Sequence, residues 1–198
     1  MKIVLCGPPK SGKSCLREGL KQAIRKIPGA PYPYVITACP DGEGAWFQAT
    51  VSHDPEQARQ IKTEYKKSLG GFTPEFVKRI ADSVANCSLP LTLVDIGGIP
   101  SKENEQICAA ATHAILLAGD YEDKTWQQRL PEWYEFSEKL GLKILAVIYS
   151  DYHGQEDTVQ GSEDNTFYGS VHYLERGEDI SQRPCVVALA EFLVEKTK

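Results

Sequence analysis

Eight residues near the amino terminus carry the sharpest chemistry in the chain: Gly7-Pro8-Pro9-Lys10-Ser11-Gly12-Lys13-Ser14. They complete the pattern G-x-x-x-x-G-K-[ST], and the spacing has a physical reason. A loop between two glycines wraps a phosphate with successive backbone N–H groups. A helix that begins where the loop ends aims its positive pole at the same anion. Lys13 is then placed to reach the β- and γ-phosphates, and Ser14 offers its hydroxyl to Mg²⁺. The expected nucleotide-binding stretch is Gly7, Pro8, Pro9, Lys10, Ser11, Gly12, Lys13, Ser14 and Cys15. Pro8 and Pro9 donate no N–H but stiffen the start of the loop.

A phosphate loop of this kind calls for a second acid at the carboxyl end of another buried strand. Leu91-Thr92-Leu93-Val94-Asp95 supplies it, since ligands of open α/β sheets gather at those strand ends. Ser14 and Asp95 are therefore the expected metal ligands, and Lys13 and Asp95 the expected catalytic groups. In Asp95-Ile96-Gly97-Gly98 the glycine three residues on, Gly98, could offer an N–H to a γ-phosphate. Asp95 is followed by isoleucine rather than by a water-polarising glutamate; Glu103 and Glu105 lie further along and could substitute.

A third cluster, Pro40-Asp41-Gly42-Glu43-Gly44-Ala45-Trp46-Phe47, follows the second strand-like run. Asp41 or Glu43 could take a proton from an acceptor hydroxyl, as a kinase general base does. Trp46 or Phe47 could stack a base. The same Asp-Gly-Glu-Gly would serve equally as a plain hairpin turn. Positive charge near the γ-phosphate is to be sought among Arg59, Lys62, Lys66, Lys67, Lys78, Arg79 and Arg129. A GTPase would carry [NT]-K-x-D after a late strand. Ala118-Gly119-Asp120-Tyr121 and Tyr149-Ser150-Asp151-Tyr152 do not fit, so ATP is favoured over GTP.

These residues need a scaffold, and the pattern around them supplies one. Strands are expected at 3–6, 34–39, 91–94, 114–118 and 144–149, with a sixth at Cys185 to Leu189. Helices are expected at 13–27, from Asp54-Pro55-Glu56-Gln57 through Ala58, Ile61, Tyr65 and Leu69, and from Thr73-Pro74 with Phe76, Val77, Ile80 and Val84 inward. Others run from a Ser101 cap to Ala111, through Trp133, Phe136 and Leu140 up to Gly141, and over 190–196. Asp151 to Asn165 reads as an acidic loop on the ligand edge, where it could flank a nucleotide base. Strands alternating with helices imply an α/β fold: a P-loop NTPase with a mainly parallel, doubly wound sheet, on the kinase-like side of the superfamily, as one domain over residues 1–198.

Composition narrows the function classes. The net charge is −5, the wrong sign for a non-specific nucleic-acid coat or a polybasic membrane binder. The weakly polar run Ile107 to Gly119 is 13 residues long, shorter than the ~18–20 apolar residues of a membrane span. The amino terminus lacks a signal-peptide pattern. The six cysteines show no C-x-x-C pair, and a reducing cytoplasm is expected. The four histidines have no metal-binding spacing, and G-x-S-x-G is absent.

Three pieces taken together resemble a known family: Val4 to Ser14 with Leu16-Arg17-Glu18-Gly19-Leu20, then Cys39-Pro40-Asp41-Gly42-Glu43-Gly44, then Val94-Asp95-Ile96-Gly97-Gly98. The chain is similar to the P-loop, AAA-like ATPase domain that cyanobacteria carry fused to a CRISPR-associated type III ring nuclease. The ring nuclease itself is not recognisable here, nor is a small helical lid domain. The resemblance implies an antiviral setting and contact with a ring-nuclease module. The combined reading is an ATP- and Mg²⁺-binding phosphoryl-transfer domain, either an ATPase or a kinase acting on a nucleoside or RNA end. The alternative is a nucleotide-sensing module with little turnover that sets the assembly or activity of a partner nuclease. Either is compatible with a homo-oligomer.

Overall fold

The computed structural model describes residues 1–40, 56 and 72–198. Short apolar segments become strands because they are covered on both faces. In β1 (Lys2–Cys6), Ile3 and Leu5 join one core while Val4 and Cys6 join the other, the two-residue period of a buried parallel strand. The remaining strands are β2 (Pro33–Thr37), β3 (Leu91–Asp95), β4 (His113–Ala118), β5 (Lys143–Asp151), β6 (Thr158–Glu163) and β7 (Thr166–His172). They form one sheet in the order β2-β3-β1-β4-β5-β7-β6. All neighbours are parallel except β6, which pairs antiparallel with β7 at the edge.

Helices cover both faces. On one lie α1 (Lys13–Lys26) and the last helix, α5 (Pro184–Glu195), burying Leu16, Leu20, Ile24, Val186, Leu189 and Leu193 against the sheet. On the other lie α2 (Pro74–Asn86), α3 (Lys102–Cys108) and α4 (Pro131–Lys139), with Val77, Val84, Ile107, Trp133 and Phe136 inward. The expected caps are made: Thr73 accepts from Phe76 N–H at 3.2 Å, and Ser101 accepts from Asn104 N–H at 3.3 Å. β1 pairs directly with β3, setting Leu5 opposite Asp95. The phosphate loop and the expected metal acid thus leave adjacent strands at the same end.

Two expectations are corrected. The stretch 151–165, expected as an acidic loop, contains the end of β5 and all of β6. Asp164 and Asn165 both take positive φ, 48° and 65°, the tight turn whose twist matches a β-hairpin. Cys185 to Leu189, expected as a strand, is the first half of α5. Pro184 pre-sets that helix's first turn. Its apolar run is continuous because α5 is buried on most sides, which hides the helical period. The helix expected from Asp54, with Ala58, Ile61, Tyr65 and Leu69, lies outside the described residues apart from Glu56, which is helical. Among the described residues no helix is long and apolar enough to cross a membrane.

Candidate functional site

The loop from Gly7 to Gly12 leaves β1 and turns straight into α1. Gly12 makes the turn in the left-handed region at φ 86°, where a side chain costs energy. Lys13 is 9% exposed. Its ammonium folds back over the loop, donating to Gly7 O at 2.7 Å and Pro8 O at 3.0 Å. Burial pulls its pKa below the ordinary lysine value, while Asp95 acts in the opposite direction. Ser11 is also buried, and its Oγ has no partner among the described residues. Burial pushes the Cys15 thiol up to about 11, so its side chain stays neutral at physiological pH and only its backbone N–H suits an anion.

Asp95 ends β3 and is 4% exposed. Its Oδ2 accepts from Arg17 Nη1 at 3.2 Å. Arg17 is 1% exposed and lies one helical turn after Lys13, so both cations project from the same face of α1. The sequence reading missed this ion pair. The available signal was position: a charged residue beside the apolar row Leu16, Leu20, Ala23. The described part of the site therefore buries two cations, Lys13 and Arg17, against one carboxylate, a balance that favours an incoming anion.

The tip of the loop is held from two sides. At Gly98 a Cβ would stand 2.6 Å from Pro9 N and 3.0 Å from Pro8 C, so only a glycine lets the β3 loop lie against the two prolines. From the other side Arg129, on a 3₁₀ turn at Trp126–Arg129, donates to Pro9 O at 2.8 Å and to Gly119 O. Lys10 donates to Tyr121 Oη at 2.6 Å, and the Arg129 guanidinium lies 5.2 Å from the same ring. Among the expected cations, the fold brings Arg129 to the loop. Lys78 and Arg79 are exposed on α2, beside Glu75 and Asp82.

A cleft of about 630 Å³ joins the loop to Asp95, Gly97 and Gly98 on one side and to Tyr152, Leu174, Glu175 and Arg176 on the other. The second wall comes from the ends of β5 and β7. Tyr152 donates to Glu175 Oε2 at 2.8 Å, and its ring packs on Tyr173 with centroids 5.3 Å apart. Both tyrosines are about half exposed. No sequence motif marked this wall. It depends on the β6–β7 hairpin, whose first strand falls in the stretch 151–165 expected as a loop.

The donors expected for Mg²⁺ suit it in kind, since Ser14 and Asp95 both offer hard oxygens on the cleft, although one oxygen of Asp95 is already committed to Arg17. Among the described residues no group of three His, Cys, Asp or Glu side chains could hold a metal by itself. The expected water-polarising substitutes point elsewhere: Glu105 pairs with Lys139 at 2.6 Å, and Glu103 is half-buried, with the Ser101 hydroxyl holding its carboxyl below the ordinary value. Asp41 and Glu43, Trp46 and Phe47, and Arg59, Lys62, Lys66 and Lys67 lie outside the described residues.

No family model matches the chain, and no curated protein does. A solved structure of a plasmid partition protein from Borrelia burgdorferi B31, bound to AMPPNP, shares the architecture with a TM-score of 0.61 at 11% identity, covering 98% of each chain. The fold is that of a P-loop nucleoside triphosphatase. A Janibacter sugar kinase aligns over 91% of this chain and 90% of its own at 11% identity, with a TM-score of 0.35, too low to show a shared fold.

Proposed function

We propose that the chain binds ATP through the Gly7–Ser14 loop and acts on its γ-phosphoryl group. The observation that carries this reading is the cradle itself: a strand, a loop turning at Gly12, and a buried Lys13 in a site whose described residues bury more positive than negative charge. The AMPPNP held by the Borrelia protein of like fold adds support. In this reading the loop amides and Lys13 grip the β- and γ-phosphates. Arg129 and Lys10 add charge at the loop tip. The Tyr152–Glu175 wall flanks the base. Ser14 and Asp95 would hold Mg²⁺, which when bound neutralises phosphate charge. Asp41 or Glu43 is assigned the acceptor proton, the acceptor being water, a nucleoside or an RNA end. The decisive experiment is calorimetry with ATP, then turnover of labelled ATP with and without acceptors, on wild type, Lys13→Ala and Asp41→Ala. An absence of both binding and labelled product at saturating ATP would sink the reading.

A second reading is favoured by one observation. Neither Glu103 nor Glu105 reaches the cleft. A site in which neither of these acids polarises water suits a slow nucleotide sensor that regulates a partner, provided ATP binds two conformations unequally. Identical oligomeric state with and without ATP would count against it. The CRISPR setting, the ring-nuclease partner and a cytoplasmic location rest on sequence resemblance and composition alone. Co-expression with a ring nuclease, followed by cyclic oligoadenylate cleavage with and without ATP, tests that partnership.

A further inference from the structure

Arg17 stands out in the core. It is among the largest fully buried side chains, 1% exposed, in a helix whose neighbouring core positions are Leu16 and Leu20. Stability alone does not account for it, because a buried ion pair is commonly matched or bettered by apolar residues of similar size. What distinguishes Arg17 is its target. Its Nη1 sits 3.2 Å from Asp95 Oδ2, and Asp95 lines the same cleft as Lys13 and Ser14. Among the described residues the guanidinium also lies near Glu18, 3.8 Å away and partly exposed.

This placement bears directly on metal dependence. A hard divalent ion is drawn to a carboxylate by its full negative charge and by its free oxygens. Arg17 takes one Asp95 oxygen and offsets the charge. Arginine stays protonated at any working pH, so the offset is permanent. It also forms before any ligand arrives, because the pair is buried between α1 and β3. We propose that Arg17 is a resident counter-cation of the phosphate site: it offsets the charge of the Asp95 carboxylate, so that a Mg²⁺ held by Ser14 and Asp95 adds little to triphosphate affinity. The proposal rests on the nucleotide-binding reading above.

The test is calorimetric titration of ATP into the full chain, in excess Mg²⁺ and in EDTA, with folding checked by thermal melting. In wild type the two affinities should agree within about fivefold, the lower end of ordinary coupling between ligands. Arg17→Met removes the guanidinium charge from beside Asp95, and the Mg²⁺/EDTA ratio should rise by about tenfold or more. Arg17→Lys keeps the charge and should stay near the wild-type ratio. A wild-type ratio above about fiftyfold, well into the range of strong coupling, would overturn the proposal whether or not the methionine variant folds. So would a folded Arg17→Met with the wild-type ratio. Failure to bind ATP under both conditions would overturn the nucleotide reading itself, and that outcome is distinct from binding with the wrong metal dependence.

Discussion

Gly12→Ala tests whether the loop geometry is set by backbone conformation and by the wall behind it. At φ 86° an alanine costs about 1–2 kcal/mol. Its Cβ would stand 2.6 Å from Leu174 Cδ1 and 2.9 Å from Leu174 Cβ. Leu174 is 7% exposed and has little room to withdraw, and overpacking of this kind costs about 1–3 kcal/mol. The sum is about 2–5 kcal/mol, and each kcal/mol should lower the Tm by about 2–4 °C in a chain of this size. The two contributions separate in a double-mutant cycle with Leu174→Ala. Removing the leucine should recover the overpacking part, about 1–3 kcal/mol, and leave the backbone strain in place. Urea unfolding of the four proteins measures it. A Gly12→Ala cost below about 0.5 kcal/mol, or strict additivity within the ~0.3–0.5 kcal/mol typical of independent sites, would refute the reasoning.

Other expectations follow from the same geometry. Because burial lowers the Lys13 pKa, the unfolded chain holds more protons than the folded one just below the ordinary lysine value. Stability from this group therefore rises with pH across that window. A bound triphosphate pushes the pKa back up, so ATP affinity should fall as pH climbs and binding should take up protons; heats that do not vary with buffer ionisation enthalpy at alkaline pH would contradict this. Asp157, fully buried, accepts from His172 Nδ1 at 2.6 Å, His172 N–H at 3.1 Å and Cys185 N–H at 3.2 Å. Asp157→Ala should cost about 2–4 kcal/mol, since α5 has no side-chain cap of its own; a loss under 1 kcal/mol by urea unfolding would contradict that. Arg129→Ala removes a charged hydrogen bond to Pro9 O and should weaken ATP binding about tenfold. Its Tm should stay within about 4 °C of wild type, the equivalent of roughly 1 kcal/mol, and unchanged ATP affinity would show that the latch is idle.

The parts legible in the sequence were those with local causes. Ile3 to Cys6, the Gly7–Ser14 spacing and the Leu16, Leu20, Ala23 row fix strand, loop and helix with neighbours a few residues apart. Asp95 was legible because an acid closing an apolar run marks a strand end. What escaped depended on distant partners. Composition presented 151–165 as solvated, although the Asp164-Asn165 turn followed by Thr166-Phe167-Tyr168 was a hairpin signal that acidity masked. The Arg17–Asp95 pair spans 78 residues of chain, and only the β1–β3 register brings its members together. The Tyr152–Glu175 wall needed β7 in its place before it could exist.

The packing of Leu174 on Gly12 and of Ile180 on Gly19 has a consequence for synthesis. The loop residues Gly7 to Ser14 precede their backing by more than 150 residues of chain. During translation the nascent segment is an open hook without its rear support, and the parallel sheet closes late. On the proposed reading ATP therefore has no finished cradle to seize until β7 and α5 dock, and it would act as a lock on the completed fold rather than as a template for it.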